Sequence, residues 1–310
     1  MVEAIIRPGS TGHSHGGGGV PIQTRSERIR SIVTSDHSEV NRRDEQWRYL
    51  DAERLRGLDS NVLSNVSESI KVSTPTGYSA SYVTASDSSF GKAGLPEDRP
   101  SANAWAAADK ALKLSLSGEV TEPATIAIES PGEDKAAHLI LESATHSHGT
   151  VVIDHTGSGT YAEVVEIIVG DESNLTVVSI QDWADDAVHT SAQFARLGRN
   201  SKLKHIVVSL GGKTVRVTPN AEFTATGGDV ELLGMYFADA GQHLEHRSYV
   251  DHAVAQCKSR VTYKGALQGD NAHTVWVGDV LIRKAAEGTD TYELNRNLLL
   301  TDGARADSVP

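Results

Sequence analysis

From about Asn174 onward, apolar and branched residues alternate with polar ones in short runs that return at intervals of roughly 28 to 32 residues. The runs are NLTVVSI from Asn174, KLKHIVV from Lys202, DVELLGMY from Asp229, KSRVTYKG from Lys258 and TYELNRNLLL from Thr291. Small or polar turns precede them, among them Gly170-Asp171-Glu172-Ser173, Gly198-Arg199-Asn200-Ser201, Thr226-Gly227-Gly228 and Ala286-Glu287-Gly288. A period of two predicts a strand with one buried face. One such strand cannot bury that face alone, so the fixed spacing predicts stacked coils of a β-solenoid, or β-helix. The pattern is still running at Pro310. A solenoid needs a terminal cap, so further chain is expected beyond it.

Upstream the period changes. Ile29, Ile32 and Val33, then Trp47, Leu50, Leu55 and Leu58, lie in a charged background and predict a helical lead-in from Arg25 to about Leu58. Ser, Thr and Gly dominate residues 59–99, with short strands expected at Ser69–Val72 and Tyr78–Thr84. The alanine-rich run after Asn103 predicts a helix over Ala102–Leu114, with Asn103 as its cap. Strands follow at Ala124–Glu129, Ala137–Glu142, Thr150–Asp154 and Val164–Val169. The chain thus divides into a Gly/His-containing tail (1–24), a helical or mixed N-terminal region (25–115) and a mainly β core (116–310). A sandwich or barrel is the competing architecture; the long fixed spacing favours the solenoid.

Composition narrows the function classes. With 28 Gly and 5% aromatics in 310 residues, the chain suits tight turns and small stacked side chains. A net charge of −12 argues against a general electrostatic grip on nucleic acid or anionic lipid. The arginines between Arg25 and Arg56 are interleaved with acids and read as a solvated face. The single cysteine, Cys257, excludes an intrachain disulfide framework and fits a reducing cytosol. No apolar run approaches membrane-spanning length and no signal-peptide core opens the chain, so a soluble cytoplasmic protein is expected.

Several residue groups carry candidate chemistry. His13 and His15 sit in the Gly-rich tail, and His146 and His148 are two apart, a spacing a metal can use; neither pair has further ligands nearby. Asp182, Asp185 and Asp186 gather around Trp183 ahead of His189, as paired carboxylates for acid–base work or as an ordinary charged connection between rungs. The densest cluster is His243, Glu245, His246, Asp251 and His252. Strand alternation puts His243 and Glu245 on one face and His246 on the other, so a buried polar ladder competes with a ligand set. Cys257 lies beside Lys258 and near Arg260, cations that can stabilise a thiolate, although isolated cysteines more often pack. No nucleophile elbow, phosphate loop or dinucleotide fingerprint is present. No catalytic, cofactor-binding or metal residue is assigned, and a scaffold or interaction surface is the residue-level expectation.

The wording from Asp229 onward is specific. Gln242-His243, His252 with Cys257 and Ser259, the strand into Lys264-Gly265-Ala266, and Asn295-Arg296-Asn297-Leu298-Leu299-Leu300 with Ala304 to Pro310 resemble the SufD branch of the SufB/SufD family of iron–sulfur cluster assembly proteins, in its actinobacterial form. The likeness spans Ser117 to Pro310. Trp47-Arg48-Tyr49 matches the family's N-terminal Trp-Arg-aromatic motif, although Leu50-Asp51-Ala52 stands where the family has Thr-Pro-Leu. The resemblance implies a right-handed parallel β-helix between helical N- and C-terminal parts. It also implies a non-catalytic scaffold subunit that pairs with SufB and docks the SufC ATPase. No cofactor is held stably; a transient iron–sulfur cluster forms at the SufB–SufD junction, and no residue here matches the family's cluster-site histidine. SufB members carry several core cysteines, the soft ligands that iron and sulfide prefer, so the lone Cys257 favours SufD over a SufB-like subunit. Two other classes remain open: a β-helix enzyme acting on polysaccharide through Asp182, Asp185 and Asp186, and a metal-delivery module using His13, His15, His146 and His148.

Overall fold

The predicted interval is one coil, and each repeated strand is half of it. In the computed structural model, which describes residues 29–310, every coil carries two strands. Three short strands come first: β1 (Ser64–Asn65), β2 (Lys71–Ser73) and β3 (Tyr78–Val83). The α-helix α1 (Arg99–Ala107) leads into β4 (Ala111–Leu116). Coils then follow as strand pairs: β5 (Ala124–Glu129) with β6 (Gly132–Ser143), β7 (His148–Gly157) with β8 (Gly159–Val169), and β9 (Asn174–Trp183) with β10 (Val188–Leu197). Next come β11 (Lys202–Ser209) with β12 (Thr214–Phe223) and β13 (Asp229–Ala238) with β14 (His243–His252). The last are β15 (Lys258–Leu267) with β16 (His273–Ile282) and β17 (Asp290–Leu299) with β18 (Arg305–Val309). The result is a mainly β, parallel β-solenoid of about seven turns.

Odd-numbered strands from β5 to β17 stack in parallel in one eight-stranded sheet, closed at one end by β2 running antiparallel on β5. Even-numbered strands from β4 to β18 form a parallel path in a ten-stranded sheet, with β3 antiparallel on β4 and β1 beside β6. Register is strict: Asn174, Lys202, Asp229, Lys258 and Asp290 pair in succession up the odd sheet. The corner before each odd strand from β7 to β17 holds one residue at positive φ; His146 (59°), Glu172 (57°), Asn200 (51°), Gly227 (79°), Gln256 (59°) and Gly288 (72°) take that place in turn.

The two sheets differ in surroundings. Odd strands bury alternate residues, because their inner side lines the solenoid and their outer side meets solvent. Strands β8, β12 and β14 are buried at nearly every position. Their outer side is covered by the N-terminal region, where Trp47, Leu50, Leu55, Leu58 and Trp105 pack on Ala162, Val164, Ile168 and Phe194. Glu166 of β8 pins that layer by accepting hydrogen bonds from the backbone N–H groups of Gly91 (2.7 Å) and Ala93 (2.8 Å).

The layer is not the helical lead-in that the apolar spacing predicts. Of that segment, Arg25–Arg28 lie outside the described residues, as does the 1–24 tail with His13 and His15. The rest forms three 3-10 turns, Thr34–Asp36, Glu45–Trp47 and Ala52–Leu55, with Ile29, Ile32 and Val33 exposed. Short polar side chains bond the local backbone instead of leaving it to a helix: Val33 N–H donates to Ser31 Oγ, Arg43 N–H to Asn41 Oδ1 and Gln46 N–H to Asp44 Oδ1. Helix α1 also starts earlier than expected. Asp98 caps it, accepting from Ser101 N–H at 2.9 Å in a capping box with Pro100 in the first turn. Asn103 instead donates to the Leu58 and Asn61 carbonyls, and Leu112, Leu114 and Leu116 alternate into β4. Among the described residues no helix is long and apolar enough to cross a membrane.

Candidate functional site

Inward positions of the solenoid are mostly apolar, yet one stretch of the lumen is polar. From Tyr161 inward-facing β8 residues run Tyr161, Glu163, Val165, Ile167, Val169, which places a carboxylate in the core cavity. Register pairing stacks His189 on Tyr161 and Ser191 on Glu163 from the next coil, while β7 delivers His155 from the facing sheet. Glu163 accepts from Ser191 Oγ at 2.7 Å and Tyr161 Oη at 3.1 Å, with His155 Nε2 at 3.2 Å from both oxygens and His189 Nε2 at 3.6 Å. The chain of contacts continues from Ser191 to Gln193 (2.8 Å) and on to His205 (2.5 Å). A side branch runs through Ser179 and Gln181 to Trp183 Nε1.

Burial alone would raise the Glu163 carboxyl, but the His155 and His189 imidazoles beside it hold it well below the usual range. The reverse applies around it. Burial pushes the Tyr161 phenol far up, with the Glu163 charge adding to it, and pushes the His189 imidazole down. His205, with no carboxylate beside it, is driven by burial to about 4. The lumen therefore holds an anion close to a phenol and imidazoles, Tyr161, His189 and His205, that burial keeps neutral.

The His243 cluster is divided by the sheet. On the covered outer face, Glu245 takes Arg216 Nε (3.2 Å), Arg247 Nε (2.5 Å) and His243 Nε2 (3.2 Å), and Arg216 Nη1 reaches Asp98 at 2.6 Å. The Arg216 guanidinium also lies over the Trp47 ring, 4.1 Å from its centre. Burial works against the Glu245 charge, but Arg247, His243 and Arg216 together hold the carboxyl well below its ordinary range. His243 extends the network to His273 and Asp307. On the inner face, His246 stacks on Tyr236 and bonds Ser209 at 2.9 Å; burial drives it to about 3. Asp251 pairs with Arg283, and His252 bonds Ser259.

The remaining candidates do not converge. His146 is an exposed corner residue 3.5 Å from Glu172, and His148 begins β7. Asp182, Asp185 and Asp186 are exposed around a turn while Trp183 and His189 point inward, so no acid–base pair forms there. Cys257 is buried with its sulfur on the Ala225 and Ala255 carbonyls, and burial raises the thiol; Arg260 is engaged with Asp290 instead. Cys257 thus packs, as isolated cysteines more often do, rather than standing as a thiolate held by Lys258 and Arg260. Glu163, Ser191, Gln193, His205 and Arg216 are functional candidates that the strand pattern did not single out. The available signal was Glu163 itself, a carboxylate at an inward position of the apolar run YAEVVEIIV.

A family model described as SUF system FeS cluster assembly, SufBD core domain, matches residues 126–310. The chain belongs to the SufBD family. It is 50% identical over 279 residues to an iron–sulfur cluster assembly SufBD family protein of Mycobacterium bovis, covering 86% of this chain and 70% of that protein. A Mycobacterium leprae SufBD family protein is likewise 50% identical, over 86% of this chain and 71% of its own length. A Staphylococcus aureus SufBD family protein is 23% identical over 236 residues, 75% of this chain and 50% of that protein. The lumen residues and the His243 network on β12, β14 and β16 fall within the SufBD core match; Asp98 and Trp47 of the covering layer lie before it.

Proposed function

We propose that this SufBD family protein is a SufD-type scaffold subunit for iron–sulfur cluster assembly, acting in the cytoplasm in a complex with SufB and the SufC ATPase and catalysing no reaction itself. The cluster is its cargo rather than a resident cofactor. The observation that carries the SufD-type reading is Cys257. It is the one thiol in these 310 residues, fully buried and raised by burial. Iron and sulfide prefer thiolate ligands, so a chain whose thiol is withdrawn suits the subunit that supports a cysteine-bearing partner. The solenoid contributes a rigid, stacked surface, which is the usual service of this architecture.

Co-expression with SufB and SufC, followed by affinity capture of this chain, tests the reading. Recovery of a stable three-component complex is expected. A monomer that elutes free of both, at micromolar concentrations of each, would overturn it.

A further inference from the structure

We infer that His155, Glu163 and His189 form a divalent metal site enclosed in the lumen, with a borderline two-nitrogen, one-oxygen donor set suited to Zn(II) or Fe(II). This site is separate from the cluster-assembly role and does not depend on it.

The tautomers point this way first. His155 Nδ1 lies 2.8 Å from the Ile180 carbonyl and His189 Nδ1 lies 3.0 Å from the Tyr161 carbonyl, each an acceptor on the strand stacked against it. A ring nitrogen facing a carbonyl must carry the proton, so each Nε2 is left as a lone pair. That is how ligating histidines are usually oriented by their outer partners. Both lone pairs are turned toward the Glu163 carboxylate, and His189 Nε2 has no hydrogen-bond partner although it is fully buried. Lone pairs facing a carboxylate repel unless a positive centre lies between them. Protonating His155 would settle one contact; protonating His189 as well would place two imidazolium ions in an enclosed apolar tube. One divalent cation satisfies all three groups together.

Distances agree with this. Tetrahedral ligands held at about 2.0–2.1 Å from zinc stand about 3.3 Å from one another. His155 Nε2 and His189 Nε2 lie 3.2 and 3.6 Å from Glu163 oxygens, and all three ligand atoms fall within 4.8 Å of one another. Tyr161 Oη donates to Glu163 Oε2 at 3.1 Å and so holds the carboxylate in place beside the two imidazoles. The lack of sulfur among these donors favours a single cation over a cluster.

Enclosure makes loading a folding event, so the full chain is refolded with excess Zn(II), anaerobic Fe(II) or Co(II), then dialysed against chelator and assayed for metal by mass spectrometry. About one equivalent of zinc or iron per chain is expected to survive, with the visible bands of tetrahedral cobalt in the Co(II) sample. The zinc and iron arms decide between the two cations. His189→Gln, checked for folding by circular dichroism, should lose at least about tenfold in affinity, and Tyr161→Phe should weaken binding less. His146→Ala/His148→Ala, which alters only surface imidazoles, should retain the metal. Less than a tenth of an equivalent in the wild type under all three metals would refute the site, as would full retention by folded His189→Gln. X-ray absorption of the loaded wild type keeps the test independent of variant folding: nitrogen and oxygen scatterers support the assignment, and a sulfur scatterer from Cys257 overturns it.

Discussion

Arg216 joins the covering layer to the solenoid, and its replacement by Met should loosen that layer selectively. Its side chain is 2% exposed and bridges Asp98, at the head of α1, to Glu245 of β14. Burial opposes the Arg216 charge, but the two carboxylates outweigh it and hold the guanidinium protonated; the Asp98 carboxyl is drawn below its ordinary range by the same contact. Removing one member of a buried ion pair costs about 3–5 kcal/mol, because the other charge stays buried and uncompensated. Glu245 keeps Arg247 and His243, so little of that cost falls on the solenoid side. Asp98 keeps only neutral donors, Ser101 and Gln46. Loss of the guanidinium over Trp47 adds about 1 kcal/mol. With Glu245 still paired, about 2–3 kcal/mol of the ion-pair cost remains, so the expected total is about 3–4 kcal/mol, concentrated in the N-terminal layer. Hydrogen exchange followed by mass spectrometry reads this by region. Peptides from residues 45–58 and 98–107 should exchange on the order of a hundredfold faster, while β9, β11 and β13 should be nearly unchanged. Adding Asp98→Asn should recover part of the loss, since Asn caps a helix about as well as Asp and carries no charge. A loss below about 1 kcal/mol, an equal effect throughout the coils, or no recovery in the double variant would refute the reasoning.

Acid should weaken the protein before its carboxylates titrate. His205 and His246, held at about 4 and about 3 in the fold, bind protons less readily than in the unfolded chain at about 6.5, so stability falls as pH drops below 6.5 at about 1.4 kcal/mol per unit for each. Chemical denaturation at pH 6.5 and 5 should differ by about 3 kcal/mol, with about half of the difference removed in His246→Gln; equal stabilities at the two pH values would contradict this. Gly234→Ala should cost about 1–3 kcal/mol in urea unfolding, because its Cβ would meet the Tyr263 ring, the register partner on β15; a neutral result would show that the ring has room to move. Cys257 should resist thiol reagents at pH 8 in the native protein and react at once in denaturant, and stoichiometric native labelling within minutes would contradict its burial.

The odd sheet was legible because its strands face water on one side. Leu175, Val177 and Ser179 point inward while Asn174, Thr176 and Val178 point outward, and that contrast is written locally in NLTVVSI. The even sheet was not read as the second half of each coil. In β10 the sequence VHTSAQFARL shows no contrast, because residues far upstream cover the outer side and polar side chains fill the inner one. Alternation predicted correctly that His243 and Glu245 share a face opposite His246. It could not predict that His155, Glu163 and His189 meet, since their convergence depends on closure of the coil and on register between neighbouring coils. Arg216 was hidden for a related reason: its partners Asp98 and Glu245 stand 118 and 29 residues away along the chain, on either side of it. In the N-terminal region the apolar spacing was real, but local bonds from Ser31, Asn41 and Asp44 broke it into short turns.

The register of the odd sheet has a consequence for solubility. Up its outer face, Lys202, Asp229, Lys258 and Asp290 succeed one another on neighbouring coils, as do Lys204, Glu231 and Arg260. Each coil therefore meets its neighbours with opposite charge, as in the Lys204–Glu231 contact at 2.9 Å and the Arg260–Asp290 contact at 2.7 Å. A solenoid is otherwise a ready template for fibre growth, since any strand with a free edge offers a full row of backbone donors and acceptors to a second copy of itself. Here such self-pairing would set lysine against lysine and aspartate against aspartate, so the alternation that admits the right neighbour repels the identical one.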